Sequence, residues 1–187
     1  MAIKSASSVS KPPTSGQVVP GFKGAIGIRV KEQKYGPSSS GNPMITLKCE
    51  VVNPDKVKCD LDGGDYEIVG QELTYYIMLN EIDAKGKPSP NLWKFLNEFL
   101  PMCGLPSEFD DAAPLKSDAN PNGINLVGTC FEAVVTARQR KEQRRNPDGS
   151  YSPLLDAQGK EIIKGWEWSS QTSDILRKIE TVEGRTY

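Results

Sequence analysis

Three successive segments alternate apolar and polar residues with a period of two, and that repetition limits the chain to folds built on an antiparallel sheet. In GFKGAIGIRVKEQKY, Phe22, Ile26, Ile28 and Val30 share one parity, and Lys23, Ala25, Arg29 and Lys31 the other. In MITLKCEVV, Ile45, Leu47, Cys49 and Val51 oppose Thr46, Lys48 and Glu50. In ELTYYIML, Leu73, Tyr75, Ile77 and Leu79 oppose Thr74, Tyr76 and Met78. Half-buried strands joined by polar turns read as a meander. Gly21, Gly24 and Gly27 suit a first strand that is sharply curved or bulged. Its connection to the second, YGPSSSGNPM, is all turn formers until its end and reads as a long, pliant hairpin loop.

The period then changes. In SPNLWKFLNEFLPMCGL, Leu92, Phe95, Leu96, Phe99 and Leu100 form the stripe of an amphipathic helix. Ser89 caps it, Pro90 opens it, Pro101 ends or bends its last turn, and Gly104 stops it. Two further strands, NLVGTCFEAVVTARQR and KEIIKGWEWSS, flank a polar excursion, RKEQRRNPDGSYSPLLDAQG, in which NPDG signals a turn. TSDILRKIETVEGRTY adds a short helix or trails off. The expected fold is mainly β: a five-stranded OB-fold barrel with one helix between strands 3 and 4 and long 1–2 and 4–5 loops. A different small β-barrel and an open α+β sandwich are the alternatives. A chain of 187 residues suits one core. Residues 1–20, rich in Ser, Pro, Lys and Gly, read as a flexible arm; residues 21–180 form the domain, and 181–187 a tail.

Charge and residue usage narrow the chemistry. A formal net charge of −1, with 25% of residues charged, announces no global affinity for nucleic acid, so any such partner must be found in local patches. The absence of histidine leaves general acid–base work to carboxylates, and Asp60, Asp62 and Asp65 sit in a glycine-rich turn where backbone hydrogen bonds account for them. Cys49, Cys59, Cys103 and Cys130 form no CxxC pair and lie in apolar stretches, which reads as buried free thiols in a reducing compartment rather than metal ligands. No nucleotide-binding loop, nucleophile elbow or complete calcium loop is present. The expectation is a non-enzymatic protein with no cofactor and no metal. No stretch has the length of a membrane span and the N-terminus lacks the apolar core of a signal peptide, so the expected location is the cytoplasm, of a cell or of an infected host.

Two local patches stand out. In the excursion between the fourth and fifth strands, Arg138, Arg140, Lys141, Arg144 and Arg145 are offset only by Glu142, and Tyr151 follows. In an OB fold this loop and the first one flank the binding groove, which places Lys31, Lys34 and Tyr35 on its other side. The strand parities point Arg29, Lys31, Lys48, Thr46, Thr74 and Tyr76 away from the core, a set of cations around an exposed aromatic. Phosphate pairing with base stacking requires that combination. Trp166 and Trp168 share one face of the fifth strand and either extend this platform or belong to the core. The expected interface is therefore Arg29, Lys31, Lys34, Tyr35, Lys48, Tyr76, Arg138, Arg140, Lys141, Arg144, Arg145, Tyr151, Trp166 and Trp168, with single-stranded DNA as ligand. A protein-interaction module that does not touch nucleic acid is the alternative, and a metal-dependent nuclease a third. Edge strands could also pair between copies of the chain.

The stretch GFKGAIGIRVKEQKYGPSSSGNPMITLKCEVV, the helix LWKFLNEFLPMCGL and the later LVGTCFEAVV together resemble bacteriophage-encoded single-stranded DNA-binding proteins of replication and recombination modules. The likeness spans roughly residues 21–170 and rests on short matches. It implies an OB fold, sequence-tolerant binding of single strands, and phage replication or recombination proteins as partners. Carried over by position, it covers Ser40, Gly41, Asn42, Pro43, Met44 and Ile45, and Leu126 with Gly128, as turn and strand determinants. Many members end in an acidic tail that recruits partners; this chain ends VEGRTY, so recruitment by such a tail is not implied.

Overall fold

The computed structural model of the protein describes residues 14–15, 17–83, 85–110, 112–118, 120–169, 175–178, 181–182 and 185–186. In chain order the strands are β1 (Thr14–Ser15), β2 (Lys23–Pro37), β3 (Pro43–Asn53), β4 (Lys56–Lys58), β5 (Asp65–Glu67), β6 (Glu72–Met78), β7 (Cys130–Lys141), β8 (Gln143–Arg145), β9 (Tyr151–Pro153), β10 (Ile163–Ser169), β11 (Ile175–Lys178), β12 (Thr181–Val182) and β13 (Arg185–Thr186). Among the described residues one continuous helical segment, α1, made of Pro90–Lys94, Phe95–Phe99 and Leu100–Met102, follows β6 and precedes β7.

The alternating segments meet in an antiparallel sheet of order β10–β7–β2–β3–β6, with β11 pairing with β7 alongside β10. β2 organises it. Residues 23–29 pair with β7 and residues 27–37 with β3, so Gly27, Ile28 and Arg29 hold both neighbours at once. A bulge at Lys31, between Val30 and Glu32, bends the strand, and a second register shift, between Gly27 and Ile28, leaves Val52 of β3 as the extra residue. At Gly24 a Cβ would come within 2.8 Å of the Phe22 ring, which folds back against the strand there.

The sheet does not close, and the expected barrel is corrected on this point. β10 and β11 both spend their pairing on β7, along residues 136–141 and 131–133, so among the described residues no strand returns to β6. A side-chain bond reaches across instead, from the Trp168 indole N–H to Gln71, the residue preceding β6, at 3.0 Å.

One face of the sheet is the core. Ile28, Leu47, Tyr75, Ile77 and Phe131 are fully buried there, and α1 lays Phe95, Phe99 and Leu100 on them. Phe131 packs edge-to-face with Tyr75 at 5.7 Å and with Phe99 at 5.6 Å. The helix starts as expected, with Ser89 Oγ accepting from the Leu92 N–H and Pro90 at the first position. Pro101 does not end it. The turn Phe95–Phe99 widens to π geometry, with the Leu100 N–H bonding back to Phe95, and the segment continues through Leu100–Met102 to Gly104 at φ +74°.

A small sheet of order β1–β5–β4 adds Cys59, Tyr66 and Ile68 to the core. With it the packed unit reaches back before Gly21: β1 pairs with β5, and Val19 is fully buried. Most of the expected N-terminal arm, residues 1–13, lies outside the described residues. At the other end, Ile175–Lys178 is a strand rather than the helix allowed for, and within the expected tail β12 pairs with β13.

The first hairpin connection is also corrected. β2 and β3 stay paired out to Pro37 and Pro43, leaving a turn of five residues, Ser38–Asn42. The Ser38 N–H bonds Asn42 O at 2.8 Å, the Gly41 N–H bonds Ser38 O at 2.9 Å, and Gly41 takes φ +81°. Ser38 and Asn42 carry the ladder bond, so Pro37 and Pro43 form a non-hydrogen-bonded pair in which neither needs an N–H for the other, while Pro43 O accepts from the Leu79 N–H at 2.9 Å. The same bonding recurs at 83–87, 146–150 and 156–160, each with Asp or Asn first and Gly fourth. What reads as a soft linker is one copy of a repeated tight turn.

Phe131→Ala, which empties the centre of the aromatic stack, is expected to cost about 3–5 kcal/mol. Chemical denaturation would show it as a lowered midpoint at unchanged slope.

Candidate nucleic-acid interface

The outer face of β2, β3 and β6 is ordered in rows by the strand register. Arg29, Glu50 and Glu72 form one row, Glu32, Lys48 and Thr74 the next, and Lys34, Thr46 and Tyr76 a third. The bulge after Val30 expels Lys31 onto this face and shifts the parity, so Glu32 and Lys34 lie outward and Gln33 turns inward to bond Ile124 O and the Leu126 N–H. Arg29, Lys31, Lys34, Lys48 and Tyr76 therefore all lie on one surface, as expected.

That surface is a lattice of alternating charge. Arg29 pairs with Glu50; Lys31 reaches Glu50 at 3.4 Å and Glu72 at 3.8 Å. Glu32 is held by Lys34 at 2.8 Å and by Lys48 at 3.0 Å. Four cations face three carboxylates, so the floor carries little excess charge. Hydrogen bonding from Arg29 holds the Glu50 carboxyl below the usual carboxylate range, bonding from Lys34 and Lys48 does the same for Glu32, and Glu32 in turn raises Lys48.

The excursion between β7 and β10 is an arm of two hairpins. Its base is a ring of three main-chain bonds: the Glu142 N–H to Ile162 O at 2.9 Å, the Ile162 N–H to Leu154 O at 2.9 Å, and the Leu154 N–H to Glu142 O at 2.8 Å. One finger is β8 and β9 around the turn 146–150; the other turns at 156–160. Some cations of the arm are matched: Arg138 with Glu167 at 2.9 Å, Lys141 with Glu161 at 2.6 Å, and Lys164 with Glu142 at 3.8 Å. Arg140, Arg144 and Arg145 make no ion pair with a described residue. Arg145 stands directly across from Tyr151, which is 64% exposed, on one side of the β8–β9 finger. At the root of the arm, Arg138, Gln139, Arg140, Lys141, Gln143, Trp166 and Glu167 line an open groove of about 840 Å³.

The placement of Tyr35 is corrected, and of the two alternatives for the tryptophans Trp168 takes the core. Tyr35 opposes Ile45, so it lies on the core-facing side of the sheet, away from Tyr76. Trp166 and Trp168 oppose Gln139 and Ala137, again on that side; Trp168 packs edge-to-face on Phe22 at 5.7 Å and against the core, while Trp166 reaches the groove. The turn 38–42 and the arm are rooted at opposite ends of one strand. β7 runs antiparallel to β2 with Thr136 beside Lys23, so the arm leaves from one end of β2 and the turn from the other.

Sequence reasoning missed the acids. Glu50 was legible, since it shares the parity of Lys48; Glu32 was not, because the bulge at Lys31 reverses the alternation. Of the residues singled out by resemblance, Ser40, Gly41 and Asn42 form the tight turn, Pro43, Met44 and Ile45 open β3, Leu126 is fully buried and Gly128 takes φ +86°. Neither a scan against protein-family models nor a search of curated proteins matched this chain.

Carboxylates held below their ordinary range stabilise the folded state above the unfolded carboxylate range, and that contribution is lost as pH falls through the folded values. Carboxyl NMR titration is expected to find Glu32 and Glu50 titrating low, and Glu50→Gln to flatten the acid side of the stability profile.

Proposed function

We propose that the protein binds single-stranded DNA, with little dependence on sequence and without catalysis, using the arm and the outer face of β2, β3 and β6. The observation that carries this reading is the set of three guanidinium groups without ion-pair partners among the described residues, Arg140 at the root of the arm and Arg144 and Arg145 on it, with Tyr151 on the arm and Trp166 at its root. Phosphates complement the first and base faces the second. Arg138 and Arg140 have the outward parity of β7, so the cations of the arm continue the face that carries Arg29, Lys48 and Tyr76.

The OB fold is the architecture we infer. The meander β2–β3–β6, the pairing of β7 with the first half of β2, the placement of β10 beyond β7 and the position of α1 in the chain support it. A role in phage replication or recombination, in the host cytoplasm and with replication or recombination proteins as partners, rests on the sequence resemblance. No helix among the described residues is long and apolar enough to cross a membrane. One observation favours the rival reading of a protein-interaction module: the near-balanced lattice on the sheet face offers a polyanion little net attraction.

An oligonucleotide titration followed by tryptophan fluorescence separates the two. With three unmatched cations as the main phosphate contacts, the slope of log affinity against log salt is expected near about −2. Reversing charge at Arg140 and Arg144 together should weaken binding about tenfold or more and bring that slope toward zero. Unchanged affinity in that variant would take the arm out of the interface, and no binding by the native chain would leave the protein-interaction reading.

A further inference from the structure

The lattice on the outer face is not uniform. Between the expelled Lys31 and strand β6 lies a recess of about 300 Å³ lined by Lys31, Glu32, Lys48, Glu72, Leu73 and Thr74. Its three neighbouring carboxylates differ in how firmly they are held. The Glu50 side chain is only 15% exposed and is bonded by Arg29 and Lys31, and Glu32 is clamped by two lysines at 3.0 Å or less. The Glu72 side chain is 76% exposed, and its ion pair with Lys31 is long, at 3.8 Å. On β6 the outward positions run Glu72, Thr74, Tyr76, and Tyr76 is 61% exposed. The recess thus has an acceptor at one end, two ammonium groups on its rim, and an aromatic face two residues further along the same strand.

We propose that this recess takes a nucleobase bearing an exocyclic amino group, with Glu72 as the residue that selects it. The inference rests on the single-strand reading above and adds a preference to otherwise tolerant binding. A carboxylate accepts from the N4 amino group of cytosine and repels the O4 carbonyl that uracil presents at the same place. Lys31 and Lys48 on the rim are placed to take the adjoining phosphate, and stacking on Tyr76 would hold the neighbouring base whatever its identity. The floor then has a use for its acids: they lower overall attraction to phosphate and leave one acceptor open to read a base edge.

Deoxycytidine and deoxyuridine homopolymers of equal length differ only at C4 and N3 of each base, so their affinity ratio isolates this contact. At neutral pH and moderate salt the native chain is expected to favour the cytidine strand by at least about fivefold. Glu72→Gln, which can turn either an acceptor or a donor toward the base, should bring that ratio close to one while binding of both strands persists. Equal affinities in the native chain, or a ratio that survives the substitution, would overturn the recess and leave the single-strand reading standing. Failure of the native chain to bind either strand would overturn both.

Discussion

The pairing of Gly27, Ile28 and Arg29 with two strands at once is the constraint on which the architecture depends. A strand that must satisfy β7 along its first half and β3 along its second has to bend where the two meet, and the bulge at Lys31 and the extra residue Val52 in β3 supply the bend. The bend wraps the sheet around α1 and brings Phe131 from β7 against Tyr75 from β6, although β2 and β3 lie between those strands in the hydrogen-bonded order. The hairpin turn and the arm are rooted at the two ends of this strand.

Local order was readable to the extent that local rules set it. The alternation in MITLKCEVV and ELTYYIML led directly to β3 and β6, and the spacing of Leu92, Phe95, Leu96, Phe99 and Leu100 to α1, because period and side-chain face are linked one residue at a time. What escaped was set by hydrogen bonds between segments. A bulge at Lys31 inverts every outward assignment after it, which moved Tyr35 to the inner side and brought Glu32 out. The turn at Ser38–Asn42 reads as a pliable loop because serine and glycine look flexible when their bonding is unknown; four copies of one bonding scheme show that an Asx or Ser residue followed three positions later by glycine is the better signal. On the outer face of the sheet, Arg29, Lys48, Tyr76 and Glu50 are legible from parity alone, whereas Tyr35 and Glu32 are not, and the pairing of the carboxylates comes from cross-strand neighbours.

Two arrangements of charge coexist on one surface. On the sheet, lysine and glutamate alternate across strands, and pairing of that kind at exposed positions contributes modestly to stability while consuming the attraction each cation would offer a ligand. On the arm, part of the positive charge is left over. The contrast separates a region that keeps its shape at little electrostatic cost from one whose potential extends into solvent, and it explains how a chain with a net charge of −1 can still present a cationic surface.

The ring of bonds joining Glu142, Leu154 and Ile162 is made entirely of main-chain atoms. Because no particular side chain is needed to close it, either finger can lengthen, shorten or change composition without disturbing the other or the sheet beneath. Such a junction behaves as a socket: evolution, or a designer, could exchange the tips for different recognition surfaces while the scaffold goes on folding as before.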